Sequence, residues 1–423
     1  MLVEAWITRA ARNRPDRAAI EAHDGTLTYA ALDAAVSAAA RVLHARGARA
    51  GDRVAIALPP GLGFAVALHA AHRLGALAVP VDLRLGEAER AHLAAGAAVV
   101  VDAPLDGDEG DRAAPLLDHH DLAAPAILVH TSGSTGRPKP VALSYGNWLW
   151  SALGSGVALG VDPDERWLCA LPLSHVGGLS ILMRSAIYGT TALIHERFST
   201  DRAVRALRDE GVTLVSLVPT TLARVLVAGL EHPPRLRTVL LGGAPIAPAL
   251  AQRARTAGIP VTETYGLTEA CSQVTTGGPP LFCTRVRIAG DGEIVVSGPT
   301  VASGGELHTG DLGELDADGN LRVVGRKADT IVTGGENVAP AEVEAVLAEH
   351  PEVADAGVHA RPDAEWGEAV AATVVLRPGA AATAEDLRAH VAGRLASFKV
   401  PKTVTFADAL PRTPSGKLRR GEL

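Results

Sequence analysis

Nine consecutive residues, Thr131-Ser132-Gly133-Ser134-Thr135-Gly136-Arg137-Pro138-Lys139, hold four hydroxyls, two glycines and two cations. They follow Ala126-Ile127-Leu128-Val129-His130, an apolar run of strand length. Glycine lets backbone N–H groups turn inward with no Cβ in the way, hydroxyls add donors, and Lys139 adds charge at the end. This is the chemistry of a loop that wraps a polyphosphate. It is not the Gly-x-x-x-x-Gly-Lys-Ser/Thr loop of the common nucleotide triphosphatases, because Pro138 separates Arg137 from Lys139 and no hydroxyl follows the lysine. Standing alone, such a cluster would read as a solvated loop.

It does not stand alone. Thr264-Tyr265-Gly266-Leu267-Thr268-Glu269, Thr309-Gly310-Asp311, Gly325-Arg326 and Pro414-Ser415-Gly416-Lys417 follow it in order. Together with the loop they resemble the motifs of the adenylate-forming superfamily, which includes acyl-CoA synthetases, peptide-synthetase adenylation domains and luciferases. The resemblance runs from Tyr29 to Lys417. It implies that a carboxylate attacks the α-phosphate of ATP, expelling pyrophosphate, and that a thiol then displaces AMP. Such a protein must hold the triphosphate, bring an anionic carboxylate to it and stabilise the crowded phosphorus.

Roles carry over residue by residue. Thr131, Ser132, Gly133, Ser134, Thr135, Gly136 and Lys139 are expected to grip the β and γ phosphates. Glu269 is the expected Mg²⁺ ligand, a hard carboxylate suited to a cation that bridges phosphate oxygens. Thr268 is expected at the α-phosphate and Tyr265 against adenine, with Gly243 and Ala244 of Gly242-Gly243-Ala244-Pro245 lining its other side. Asp311 would accept both ribose hydroxyls, and Arg326 would support ribose and phosphate. Lys417 is the expected catalytic lysine, pairing the acid with the α-phosphate as charge builds. Taken singly, Asp311 reads as a turn cap, Tyr265 as a core aromatic, and Glu269 and Lys417 as solvated charges.

The elements that must position these residues alternate in helix and strand periods. Helices are expected over 31–46, 64–74, 220–228 and 247–257, with strands over 53–58, 76–81, 214–218 and 238–241. After about residue 280 short strands and turns take over (293–297, 313–315, 321–324). A second unit follows, with helices over 338–348 and 384–394 and strands over 354–359 and 370–376. The fold class is α/β: a large adenylate-forming domain of layered sheets and helices, residues 1–326, and a small mobile α+β domain, residues 327–423, carrying the lysine. The resemblance implies that the small domain rotates between half-reactions. Relatives commonly hold an acidic residue or Lys two positions after the Gly-Arg pair, where this chain has Ala328 followed by Asp329. Gly334 and Gly335 are expected to line the channel for the thiol arm of CoA. The tract 106–121 reads as an acidic surface loop without function.

Composition excludes other classes. The net charge of −7 comes with no basic stripe, so no nucleic-acid partner is expected. The most apolar stretch, 65–81, contains His69, His72 and Arg73 and does not read as a membrane span. Cys169, Cys271 and Cys283 show no metal spacing and no even disulfide set, which points to the cytoplasm. The expected partners are a small carboxylic acid, ATP and CoA, with a homodimer left open.

The acid is read from Leu171-Pro172-Leu173-Ser174-His175-Val176-Gly177-Gly178-Leu179-Ser180-Ile181-Leu182-Met183-Arg184 and from Leu193-Ile194-His195-Glu196-Arg197-Phe198. Both stretches look like the o-succinylbenzoate–CoA ligases of menaquinone biosynthesis. His175 would border the acyl pocket beside Ser180, and Arg184 would either hold the carboxylate that is not activated or pair with a structural acid. Gly177 stands where related ligases often carry Ser, and the chain is shorter than typical relatives around 102–126 and 277–290. Competing readings are a CoA ligase for another aryl or short-chain acid and an inactive nucleotide-binding homologue.

Overall fold

In the computed structural model, which describes residues 1–105, 110–132, 138–412 and 418–423, the expected helices form where capping and periodicity agree. Thr28 caps helix Tyr29–Ala45 by accepting from the Ala31 N–H at 3.2 Å, and Leu32, Val36, Ala39, Ala40 and Leu43 form its buried stripe. Ser144 and Asn147 make a reciprocal box at the start of Tyr145–Leu159, and Thr383 with Asp386 does the same for Ala384–Ala392.

The chain packs as two compact units. One comprises Met1–Gly243, Ala254–Arg285 and Val296–Leu307; the other comprises Ala244–Arg253, Val286–Val295 and His308–Leu423. Among the described residues of the first, the larger sheet runs in the order Ser272–Thr276, Val261–Leu267, Thr238–Leu241, Leu214–Leu217, Arg166–Cys169, Thr191–Ile194, Ala18–Ala22, Gly25–Thr28. Its six inner strands are parallel, and its two edge strands are antiparallel to their neighbours. The carboxyl ends of the inner strands therefore share one edge, where open α/β sheets bind ligands. A five-stranded sheet in the same unit ends in the antiparallel pair Pro125–Ser132 and Pro138–Ser144, which puts Thr131 opposite Lys139.

In the second unit, Val353–Asp363 and Gly367–Leu376 pair along their lengths, with Thr403–Phe406 parallel to the latter. They enclose a core of Ile331, Val343, Leu347, Val358, Val374 and Leu387. Strand Val353–Asp363 is longer than its apolar stretch predicts, because pairing with its neighbour carries the polar Arg361 and Asp363 along. The tract 106–121 is not wholly loop. His119–Asp121 forms a strand against Leu2–Glu4, and Asp111 pairs with His44 at 2.8 Å.

The histidines of 65–81 are interior groups. His69 and His72, one turn apart on Leu62–Arg73, are buried near His120, whose ring stacks on Tyr145 at 4.3 Å. Burial holds His69 at about 4 and pushes His72 well below its usual range. For His120 burial, aided by the charges of His69, Arg73 and His119, brings the value to about 3. The folded state thus binds these protons less well than the unfolded chain does. Stability is full above the ordinary histidine value near 6.5 and falls as pH drops from there toward 4, by about 3 kcal/mol for His69 alone. Urea unfolding between pH 7.5 and 4.5 is expected to show this slope, and His120→Phe to reduce it by about one proton. A pH-independent midpoint would contradict the neutral buried histidines.

Candidate active site

In the first unit the site is built at the carboxyl edge of the larger sheet. Strand Val261–Leu267 carries Tyr265 and passes straight into a short 3-10 turn, Thr268–Ala270. It doubles back as Ser272–Thr276 with a bulge between Tyr265 and Gly266. So tight a reversal has two costs. Cys271 and Ser272 take positive φ, 52° and 91°, a conformation that costs non-glycine residues ~1–3 kcal/mol each. Gly266 must be glycine, since a Cβ there would stand 1.7 Å from the Ser272 carbonyl oxygen. Thr268 and Glu269 occupy the apex, half-buried.

The Glu269 carbonyl accepts from the Ala302 N–H at 2.8 Å. Its carboxylate has no hydrogen-bond or ion-pair partner among the described residues. A half-buried, uncommitted carboxylate fits Mg²⁺, which keeps most of its ligands as water and phosphate and needs one or two from protein. Next along the edge, Gly242 follows Thr238–Leu241, and a Cβ on it would lie 2.6 Å from the Thr264 carbonyl oxygen. Gly243 has φ 79°.

His175 is the N-cap of helix Val176–Tyr188 and is partly exposed. Arg84 donates to its Nε2 at 3.0 Å, and Asp82 lies 3.8 Å away. Arg84 in turn donates from Nε to Asp82 at 2.8 Å. Partial burial raises the Asp82 carboxyl, but the hydrogen bonds and charge of Arg84 outweigh it and hold the group at about 2. The pair Asp82–Arg84 was absent from the sequence expectations. Its available signal is position: two charges just past the buried parallel strand Leu77–Pro80.

Arg184, expected to hold a substrate carboxylate, is buried at 1% exposure. It sits nine residues along the helix, about 13 Å of rise. Its Nη2 donates to Ser151 Oγ at 3.1 Å and its guanidinium lies 5.6 Å from the Trp167 ring centre. Nε and Nη1 have no partner among the described residues. The helix is buried continuously from Gly178 to Ile187, so whatever its middle turns carry lies inside the unit. Ser180 is also buried, its hydroxyl donating to the Gly177 carbonyl at 2.8 Å.

In the second unit Asp311 and Arg326 face each other across paired strands, Glu306–Leu315 and Leu321–Arg326, with Oδ1 and Nε 2.8 Å apart. Lys327 binds Asp291 at 2.7 Å and Glu293 at 3.2 Å. Asp329, beside Ala328, accepts from Arg420 at 2.9 Å, and Arg420 also grips Glu344 at 2.8 Å. Gly334 and Gly335 form the turn between Ile331–Thr333 and Glu336–Val338, both with positive φ. Gly133, Ser134, Thr135, Gly136 and Lys417 lie outside the described residues, as do the side chain of Ser132 and the conformation of Arg137.

The α/β sheet presents a Tyr-Gly-Leu-Thr-Glu turn at its carboxyl edge, and an Asp–Arg pair lies in the second unit. The chain belongs to the AMP-binding enzyme family: residues 7–304 match that family and residues 342–417 match the AMP-binding enzyme C-terminal domain. It is 36% identical to the 2-succinylbenzoate–CoA ligase of Bacillus licheniformis, across 99% of this chain and 98% of that one. The Bacillus subtilis ligase of the same name is likewise 36% identical over 99% and 97%. Among solved structures, o-succinylbenzoate CoA synthetase from Bacillus subtilis in complex with the acyl-adenylate OSB-AMP superposes with a TM-score of 0.92 at 35% identity. That match covers 100% of this chain and 98% of that one. The same enzyme has been seen with ATP and a magnesium ion. MatB from Rhodopseudomonas palustris, bound to ATP, superposes at 0.90 with 28% identity, covering 99% and 98%. The expected α/β class and the expected superfamily are both borne out.

Proposed function

We propose that this chain activates 2-succinylbenzoate with ATP and transfers the acyl group to CoA, releasing pyrophosphate and then AMP, in menaquinone biosynthesis. The observation that carries the reading is likeness over nearly the full length to ligases of that one activity. The pocket helix led by His175 agrees with it. One carboxylate oxygen of the acid attacks the α-phosphorus, forming a P–O bond as the bond to pyrophosphate breaks. The CoA thiolate then attacks the acyl carbon and AMP leaves.

Thr131–Lys139 would hold the β and γ phosphates, with Thr268 at the α-phosphate and Glu269 supplying the protein oxygen for Mg²⁺. Magnesium, when bound, neutralises phosphate charge as pyrophosphate departs. Tyr265 would pack on adenine, with Gly243 and Ala244 opposite. Asp311, held in place by Arg326, would take the ribose hydroxyls. His175, oriented by Arg84, would border the acid, with Ser180 supporting that helix turn from beneath. Lys417 would pair the acid with the α-phosphate. The boundary at 326–327 would be the pivot that exchanges Lys417 for the Gly334-Gly335 turn at the thiol channel.

None of the described helices is long and apolar enough to cross a membrane, and the three cysteines are free. A cytoplasmic location suits both. Light scattering on the purified chain tests the homodimer.

The deciding experiment is acid- and CoA-dependent AMP release with 2-succinylbenzoate, benzoate, 4-chlorobenzoate, acetate and medium-chain fatty acids. A preference for 2-succinylbenzoate of at least ~100-fold in kcat/KM is expected. Turnover of another acid in preference would keep the reaction and discard the substrate. No turnover with any acid would mean an inactive nucleotide-binding protein.

A further inference from the structure

Helix Tyr145–Leu159 has two apolar sides, and only one of them is covered. The inner side is committed to the unit. Tyr145, Trp148 and Ala152 are buried, Asn147 donates to the carbonyls of Pro299 at 2.8 Å and Val301 at 3.3 Å, and Ser151 donates to the Cys271 carbonyl at 2.7 Å. The outer side carries Trp150, Leu153 and Val157, three and four residues apart and so on one stripe. All three are exposed, Val157 to 69%. Val161 extends the stripe past the helix end, since a Cβ on Gly156 would lie 2.9 Å from its Cγ2. Phe282, 60% exposed, widens it from the side, with its ring centre 6.3 Å from that of Trp150. Gly154 makes room for that neighbour: a Cβ there would stand 2.9 Å from Leu281 and 3.0 Å from the Cys283 sulfur.

Five of the sixteen exposed large hydrophobic side chains among the described residues thus belong to this helix and the two segments touching it. They form a patch, unlike the single exposed apolar residues that any surface has. Scaled by their exposed fractions, the five present about 400 Å² of apolar surface. The chemistry of the patch narrows what covers it. Between 145 and 161, and again between 277 and 284, the sequence holds no charged residue. A membrane surface or a charged macromolecule is met by Lys, Arg or acids around the apolar stripe. A second copy needs the opposite, because a two-fold contact sets residues beside their own counterparts and a charge inside the patch would face itself.

We propose that two copies of the chain meet on this face, with helix Tyr145–Leu159 of one packed on the same helix of the other about a two-fold axis and Trp150 as the anchor. This rests on the homodimer reading and names the surface that reading needs. Two copies bring together about 800 Å² of apolar surface. At the ~65% apolar share of homodimer interfaces, the whole contact is about 1,200 Å², the lower end of the specific range. Such a dimer exchanges with its monomer.

The test is light scattering on the full chain over a dilution series of ~0.1–100 µM, with circular dichroism melting to show that each variant folds. The parent is expected to pass from monomer to dimer with half-dissociation on the order of 1 µM. Val157→Glu and Leu153→Glu set like charges against each other and are each expected to weaken association at least ~100-fold. Trp150→Ala is expected to weaken it ~30-fold. Val157 is so exposed that its substitution leaves the core untouched, which keeps the test decisive even where another variant melts early. Val227→Glu, at a bare apolar position on helix Pro219–Val227, is the control and is expected to leave association unchanged. A parent that stays monomeric throughout would overturn the homodimer and this face together. A dimer that Val157→Glu and Leu153→Glu leave intact would overturn the face alone, and equal weakening by Val227→Glu would reduce it to non-specific apolar association.

Discussion

Replacing Lys417 by alanine is expected to cut acyl-adenylate formation ~10²–10³-fold while leaving thioester formation from supplied acyl-adenylate intact. The magnitude is that of removing one preorganised donor from a transition state that gathers negative charge. The asymmetry follows from the chemistry. Adenylation brings a carboxylate against a phosphate, two anions that need a cation between them, whereas the thiol step displaces AMP from an acyl carbon. The described residues on either side of the lysine are firmly tied down. Arg412 and Leu418 form a β-bridge, Arg412 pairs with Asp355 at 2.8 Å, and Arg420 grips Asp329 and Glu344. Single-turnover assays of the two half-reactions check the expectation, and equal losses in both would remove Lys417 from its role.

The second large effect is expected at Gly266. In Gly266→Ala the added methyl would meet the Ser272 carbonyl oxygen at 1.7 Å, the Ser272 carbonyl carbon at 2.6 Å and the Gln273 Cα at 3.0 Å. All three are backbone atoms, so no rotamer change relieves the overlap. The hairpin of Val261–Leu267 and Ser272–Thr276 must open, and its apex carries Thr268 and Glu269. A loss of stability of ~3 kcal/mol is expected, near the upper end for overpacking, with adenylation reduced ~100-fold or more even in the folded fraction. Calorimetry and kcat/KM for ATP measure the two. A variant that melts and turns over like the parent would show that the strands separate there without cost. Gly310→Ala is a useful contrast, since nothing lies within 4 Å of the added carbon and only its φ of 71° is strained; it is expected to cost about 1 kcal/mol.

The candidate site was legible as short motifs in a fixed order: a Gly-rich hydroxyl loop, a Tyr-Gly-Leu-Thr-Glu run and a Thr-Gly-Asp run, none of which announces a role alone. The strand over 238–241 was placed to the residue, and the helix expected at 31–46 formed as Tyr29–Ala45. Packing decided the rest. Arg184 was assigned by its charge, and the structure buries it together with the middle turns of helix Val176–Tyr188. Strand Val353–Asp363 outran its apolar segment because backbone pairing, not side-chain burial, set its end.

Residue types and spacing determined the alternation of elements and the candidate motifs, and the resemblance those motifs carry implied the reaction, since these depend on neighbours along the chain. Only the tertiary structure decided that Arg84 reaches His175 across 91 positions, that Ser151 stands between Arg184 and Cys271, and that His69, His72 and His120 share one buried cluster. Those pairings depend on which helix faces meet over a sheet edge. That is settled by burying the most apolar surface at once, a property of the whole unit that no short window of sequence contains.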